Sequence, residues 1–251
     1  MHRSPRNFPY LAGATPRVLA HRGLHTGAAE NSRSAFAAAL DTGTRIIETD
    51  VHGSSDGVAI ICHDPDLSRI AEQPHKVAQL SAASLNTVHI SPTDTLLTLE
   101  QALTAFPNAH FNIDVKDDLA IAGTVAAITA TAAHDRVLIT SFSRGRRRKT
   151  AAQLPGIASS PSAVEFFLMW LAAVVGVPVS GHHFVAVQIP EKVGILKIVS
   201  PRIIRAFHSA GLEIHVWTVN DPGDMQRLLA LGVDGIVTDR CDIAQAIITS
   251  G

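Results

Sequence analysis

The sequence predicts a (β/α)8 barrel. Eight short runs rich in Val, Ile and Leu each precede a helical stretch, across about 235 residues, and strands in such units pair in parallel. No GxGxxG follows the first strand, which sets a doubly wound open sheet second. The 251 residues, 46% hydrophobic with a mean hydropathy of +0.20, suit one large domain over 1–251, with its core at about 16–250.

The units are read in order as follows. Val18–Ala20 is the first strand and Ser32–Leu40, dense in alanine, the first helix. Arg45–His52 is the second strand; a turn at Ser54–Gly57 leads to a hairpin partner, Val58–His63. Prolines and serines scattered from Asp64 to Asp94 break the rhythm and mark an insertion, within an irregular region of about 52–110. Thr98–Ala105 is helical. Phe111–Val115 then leads to the helix Leu119–Ala133, Val137–Thr140 to Arg144–Gln153, and the weak strand Gly156–Ser159 to Pro161–Val175. Phe184–Gln188 precedes Pro201–Ala210, Glu213–Val219 precedes Pro222–Leu231, and Gly235–Thr238 precedes Ile243–Ile248.

Barrel enzymes keep their chemistry at the carboxyl ends of the strands, and polar residues gather there. His21-Arg22-Gly23 ends the first strand, and Glu30-Asn31 opens the first helix. Glu48 and Asp50 are two apart in a strand and so share a face. Two carboxylates side by side in an apolar strand are costly without a cation, and a hard divalent ion with oxygen ligands answers that cost. Asp114 offers a third carboxylate, with Lys116 on its face. His63-Asp64 ends the hairpin strand, Trp217 and Asn220 the seventh strand, and Thr238-Asp239 the eighth. Asp239 and Asn31 read first as polar caps. Trp217 is either a flat apolar wall for a substrate's carbon skeleton or ordinary packing, and Gln188 offers an amide to a hydroxyl. His215 reads as a core histidine, while His25, His52 and His182-His183 suggest no partner.

Taken in order, His21-Arg22-Gly23, Ala29-Glu30-Asn31-Ser32, Glu48-Thr49-Asp50, Asp56-Gly57, His63-Asp64, Asp114-Val115-Lys116 and Trp217-Thr218-Val219-Asn220 resemble the glycerophosphodiester phosphodiesterases, as does the closing run 232–239. The resemblance runs from about residue 18 to 247. It implies a (β/α)8 barrel with a small insertion after the second strand. It further implies that Glu48, Asp50 and Asp114, helped by Glu30, hold Mg²⁺ or Ca²⁺, that His21 and His63 act as general acid and base, and that Arg22 and Lys116 hold the phosphate. The sequence departs from the usual pattern in Ala29 for Pro, Ser32 for Thr, and Asp114 for Glu, one methylene shorter. The expected reaction splits a glycerophosphodiester into glycerol 3-phosphate and an alcohol. Its rivals are a phospholipase-D-like or cyclising activity on lysolipids, and a non-catalytic phosphate-binding barrel.

A net charge of −1, from 21 Lys+Arg against 22 Asp+Glu, excludes a generic nucleic-acid binder. Met1–Pro16 has no apolar stretch of the signal-peptide kind, and Cys62 and Cys241 form no metal or disulfide spacing, so a cytoplasmic protein is expected. The basic run Arg144–Lys149 reads as a solvated helix face or an attractor of anionic substrate or phospholipid. Phe166–Val179 reads as the outer helix of the fifth unit, with contact to a membrane surface as the alternative.

Overall fold

A computed structural model describes residues 8–181 and 183–250; Met1–Asn7, His182 and Gly251 lie outside the described residues. The elements run β1 (Arg17–His21), α1 (Arg33–Asp41), β2 (Ile46–Gly53), β3 (Ala59–Ile61), α2 (Ser68–Ala71), α3 (Ala82–Leu85), α4 (Leu99–Ala105), β4 (His110–Val115), α5 (Ala120–Ala130), β5 (Val137–Thr140), α6 (Arg144–Ala152), β6 (Ala158–Ser159) and α7 (Ala163–Val175). They continue with β7 (Ala186–Pro190), β8 (Lys192–Val193), β9 (Leu196–Lys197), α8 (Pro201–Ser209), β10 (Glu213–Trp217), α9 (Pro222–Leu231), β11 (Gly235–Thr238) and α10 (Cys241–Ser250).

The parallel strands follow the order β6-β5-β4-β2-β1-β11-β10-β7. The Val185 amide donates to the Ser159 carbonyl at 3.0 Å and brings β6 and β7 almost to closure. This is the predicted barrel. β3 pairs antiparallel with β2 as the expected hairpin partner. The region after it folds over a small core of its own, in which Ile60, Cys62, Leu67, Val77, Leu85, Val88 and Leu96 are buried. Burial pushes the Cys62 thiol up to about 12, which makes it packing rather than a nucleophile.

Serine, threonine or aspartate side chains start several helices. Ser32 accepts from the Ala35 amide at 3.0 Å, Thr98 from Gln101 at 3.1 Å, and Asp221 from Asp224 at 2.9 Å. Outer apolar residues such as Val187, Ile189 and Val216 pack under α7, α8 and α9, while Leu19, Ile46, Leu138, Ala186 and Val237 fill the barrel interior. Alternation along the strands therefore carries Glu48, Asp50, Asn112, Asp114, His215 and Trp217 inward. Gly235 lies beside His215 because a Cβ there would come within 2.7 Å of the imidazole.

Three details differ from expectation. The sixth strand is Ala186–Pro190, not Phe184–Gln188, so Gln188 is mid-strand rather than at the mouth. A two-stranded hairpin, β8–β9, follows it and was not foreseen: Lys192–Val193 and Leu196–Lys197 are too short to show a period. α10 spans Cys241–Ser250, beyond Ile243–Ile248 at both ends.

At the amino end of the barrel, Arg17 Nε and Nη2 donate to both carboxylate oxygens of Glu213, at 2.8 and 3.0 Å, and His215 Nε2 lies 3.1 Å from Oε2. Burial opposes ionisation of Glu213, but His215 and Arg17 outweigh it and lower its pKa to about 2 from 4.5. A depressed carboxyl contributes stability above its unfolded pKa and loses it as pH falls through the folded value. Glu213→Gln is therefore expected to cost about 3 kcal/mol at neutral pH, from 1.36 kcal/mol per pKa unit. The gap to the wild type should close between pH ~4.5 and ~2, as read by denaturant titration at each pH.

Candidate active site

The first strand delivers the first two site residues through an unusual backbone. Arg22 has φ +57° and turns its side chain out of the strand direction; its amide donates to the Glu48 carbonyl at 2.9 Å. Gly23, at φ +85°, is required next, because a Cβ there would fall 2.7 Å from the Ala35 backbone carbon. His21 sits beside Glu48 in the register of β1 and β2, with Nε2 4.0 Å from Glu48 Oε2.

The register of β2 and β4 sets Asp50 opposite Asp114 and Glu48 opposite Asn112. Asp50 and Asp114 are 2% and 5% exposed, so their charges must be met inside the protein. Lys116 Nζ lies 2.8 Å from Asp50 Oδ1 and 2.7 Å from Asp114 Oδ2, and Arg22 Nε lies 3.3 Å from Asp50 Oδ2. Glu48 Oε2 and Asp114 Oδ1 remain buried with no hydrogen-bond partner. Burial, then the charges of Asp50 and Asp114, push the Glu48 pKa well up; burial likewise raises Asp114 against the pull of Lys116. Asn31, left-handed at φ +57°, accepts from Thr49 Oγ1 at 2.7 Å and reaches Asp50 Oδ2 at 3.4 Å, so it holds a carboxylate rather than merely capping α1.

Among the described residues no group of three or more His, Cys, Asp or Glu is gathered closely enough to hold a metal ion. The donor chemistry nevertheless fits a hard divalent cation, since buried carboxylate oxygens on Glu48 and Asp114 lack partners beside Asp50. The Lys116 ammonium supplies positive charge between Asp50 and Asp114 in this conformation.

Each predicted histidine is gripped by a carboxylate. His21 Nδ1 lies 2.6 Å from Asp239 Oδ1, and His63 Nδ1 lies 2.7 Å from Asp64 Oδ1. An ionised carboxylate only accepts, so Nδ1 of each ring carries the proton and Nε2 is left for chemistry. Asp239 also accepts from Asn220 Nδ2 at 2.6 Å and meets His25 Nε2 at 3.3 Å. Burial works against ionisation of Asp239, but these hydrogen bonds dominate and hold its pKa far below the usual range. If His21 Nε2 exchanges protons with a substrate, Asp239→Asn should lower kcat on the order of 10²–10⁴-fold by favouring the wrong tautomer of that ring. KM should change little, which steady-state kinetics would check.

The two halves of the site are joined by a chain of charges. Arg69, from the insertion, donates to Asp64 Oδ2 at 2.5 Å and to Glu30 Oε1 at 2.6 Å, and Glu30 also accepts from Arg22 at 3.2 Å. Burial disfavours the Glu30 anion, yet Arg69 and Arg22 lower its pKa. His52 meets Asp117 at 2.7 Å and the His63 carbonyl at 3.1 Å, and so anchors the backbone of that histidine. His25, Arg69 and His52 had no role assigned from sequence, Asn220 was placed only at the end of the seventh strand, and Asp239, read as a polar cap, instead holds His21. The sequence signal for Asp239 was its place at the end of the eighth strand in the run 232–239; the register that pairs Ala20 with Thr238 then brings it beside His21.

Of the substrate-binding candidates, Trp217 ends β10 at the mouth, its ring edge-on to the exposed Phe142 at 6.1 Å, and Lys116 Nζ lies 5.9 Å from the Phe142 centroid. Gln188 stands in register with His215, two residues back along β10 from Trp217, and its Nε2 is buried without a partner. Most of the basic run is internally neutralised. Arg144 and Arg147 pair with Glu165, and Arg146 and Lys149 with Asp118, which leaves Arg148 exposed.

Acidic, basic and imidazole groups converging at the carboxyl end of a (β/α)8 barrel are the equipment of an enzyme acting on a phosphate ester. The model of the glycerophosphoryl diester phosphodiesterase family matches residues 21–243. A Mycobacterium tuberculosis protein named "Probable glycerophosphodiester phosphodiesterase 2" is 36% identical over 240 residues, covering 92% of this chain and 90% of that one. Two solved structures share the fold. One is a glycerophosphodiester phosphodiesterase from Agrobacterium tumefaciens, with a TM-score of 0.75, 24% identity and coverage of 92% and 99%. The other is an Oleispira antarctica phosphodiesterase in complex with the product sn-glycerol-3-phosphate, with a TM-score of 0.77, 22% identity and coverage of 94% and 97%. The chain belongs to the glycerophosphoryl diester phosphodiesterase family, and its activity is the hydrolysis of glycerophosphodiesters.

Proposed function

We propose that this enzyme releases glycerol 3-phosphate and an alcohol by a divalent-cation-dependent reaction in which His21 and His63 exchange protons with substrate. The observation that carries the proposal is the pair of carboxylate-oriented imidazoles set around buried acids with unpartnered oxygens. Glu48, Asp50 and Asp114, with Glu30 nearby, would hold Mg²⁺ or Ca²⁺, which supplies Lewis-acid stabilisation of the phosphoryl oxygens. Arg22 and Lys116 carry positive charge into the same buried space and would orient the phosphate's non-bridging oxygens. One histidine takes the proton of the attacking oxygen through Nε2, and the other gives a proton to the departing alkoxide. The attacking oxygen is the neighbouring glycerol hydroxyl, which closes a cyclic phosphate as the alcohol leaves, and water then opens the ring. Trp217, beside Phe142, walls the glycerol carbons. Both cysteines are free and buried, in keeping with a cytoplasmic setting.

The test is glycerol 3-phosphate release from glycerophosphocholine, glycerophosphoethanolamine and glycerophosphoglycerol, with Mg²⁺, Ca²⁺ or EDTA. Release with one metal and its loss in EDTA is the expected result. Full activity in EDTA would remove the metal, and no release from any of the three would remove the product assignment.

A further inference from the structure

Helix α7 serves two environments. Its inner side is ordinary packing: Met169 and Ala173 are buried, and Phe166 stacks on Phe207 of α8 at 6.1 Å. Its outer side carries Val164, Phe167, Leu168, Leu171, Val174 and Val175, at the i, i+3, i+4, i+7 spacing of a continuous stripe, and all are exposed; Phe167 and Leu168 are 55% and 59% open. A barrel helix that only covered its strands would show polar residues there. Isolated exposed apolar side chains need no explanation, whereas a stripe of this size does.

The stripe continues onto a second element. Phe167 stacks on Trp170 at 6.4 Å, and Trp170 Nε1 donates to the Ile198 carbonyl at 3.2 Å, at the foot of the β8–β9 hairpin. The hairpin exposes Val193, Ile195 and Leu196 beyond this contact, with Ile195 completely open at 104%.

The charges around this surface have one sign. Lys192 and Lys197 face each other across the hairpin, and Arg202 and Arg205 stand exposed on the neighbouring α8, with the Arg202 guanidinium at the C-terminal end of α7 by Gly176. The nearby carboxylates are already paired within the chain. Glu165, the only charged residue of α7, is held by Ser162, Arg144 and Arg147, and Glu191 is held by Arg227 at 3.0 Å.

We propose that the outer face of α7 and the tip of the β8–β9 hairpin dock on an anionic membrane surface. Charge selects this occupant over a second copy of the chain, which would set like charges of the rim against each other with no acid to meet them. The 13 residues of α7 extend only about 20 Å, against a hydrocarbon core of about 30 Å. Among the described residues no helix is long and apolar enough to cross a membrane, so α7 lies in the interface rather than through it. β8 follows β7 at the carboxyl end of the barrel, which brings the mouth close to lipid headgroups.

Sedimentation of the full chain with vesicles tests this, independently of any activity. Binding is expected to phosphatidylcholine–phosphatidylglycerol vesicles at low salt, weakened by added salt, with little binding to phosphatidylcholine alone. Leu168→Asp and Ile195→Asp, both at open surface positions, should each lower partitioning on the order of tenfold. Their turnover of a water-soluble glycerophosphodiester should be unchanged. The proposal is overturned if the wild type stays in the supernatant with anionic vesicles at low salt, or if both variants bind like wild type. A light-scattering dimer that Leu168→Asp converts to a monomer would also overturn it and give the face to a second copy.

Discussion

His21→Ala and His63→Ala are each expected to reduce kcat on glycerophosphodiesters on the order of 10²–10⁴-fold. The double variant should be little worse than the more damaged single one, because groups that act in one step do not add. Both side chains are partly open and stand at strand ends, so the fold should survive and thermal midpoints stay close to wild type. The roles separate with the p-nitrophenyl ester of glycerol 3-phosphate, which keeps the attacking glycerol hydroxyl while its leaving oxygen needs no proton. The variant lacking the general acid should release p-nitrophenolate in its first turnover nearly as fast as wild type, and the variant lacking the base should not. Near-wild-type turnover by either alanine variant on the natural substrates would remove that histidine from the chemistry.

The sequence carried the residues that speak through local pattern. Glu48 and Asp50 were legible because strand period alone places them on one face, and His21-Arg22-Gly23 because it ends the first strand, where barrel enzymes keep their chemistry. The supports of these residues were not legible. Asp239 reaches His21 across 218 residues, and Arg69 reaches Glu30 across 39, through contacts that exist only once the barrel has closed. His52 shows the same limit: its imidazole became interpretable when Asp117 and the His63 carbonyl appeared on either side. Gln188 was placed at the mouth because its strand was set two residues early. α7 was correctly assigned to the barrel wall, yet its outer stripe is visible only when the inner residues are subtracted.

The carboxylate cluster gives the second large effect, and its members should respond differently. Mg²⁺ or Ca²⁺ at about 100 times its dissociation constant should stabilise the wild type by about 2.7 kcal/mol. For a chain of this length that is a rise in thermal midpoint of roughly 5–10 °C, absent in EDTA. Asp50→Asn should abolish both this rise and turnover. It should also lower the midpoint in EDTA, because Lys116 and Arg22 lose the charge they meet at 2.8 and 3.3 Å. Glu48→Gln should likewise abolish turnover and the metal-induced rise. In EDTA, however, it should be as stable as wild type or more so, because it removes a buried carboxyl that faces Asp50 and Asp114 with an oxygen left unpartnered. Opposite shifts in EDTA from two substitutions that equally abolish activity would mark Asp50 as the acid already neutralised by this chain's own cations. Glu48 would then be the acid that depends on an added one. Equal losses from both in EDTA, with the metal-induced rise intact, would instead mean that these acids serve the fold and that the cation binds elsewhere.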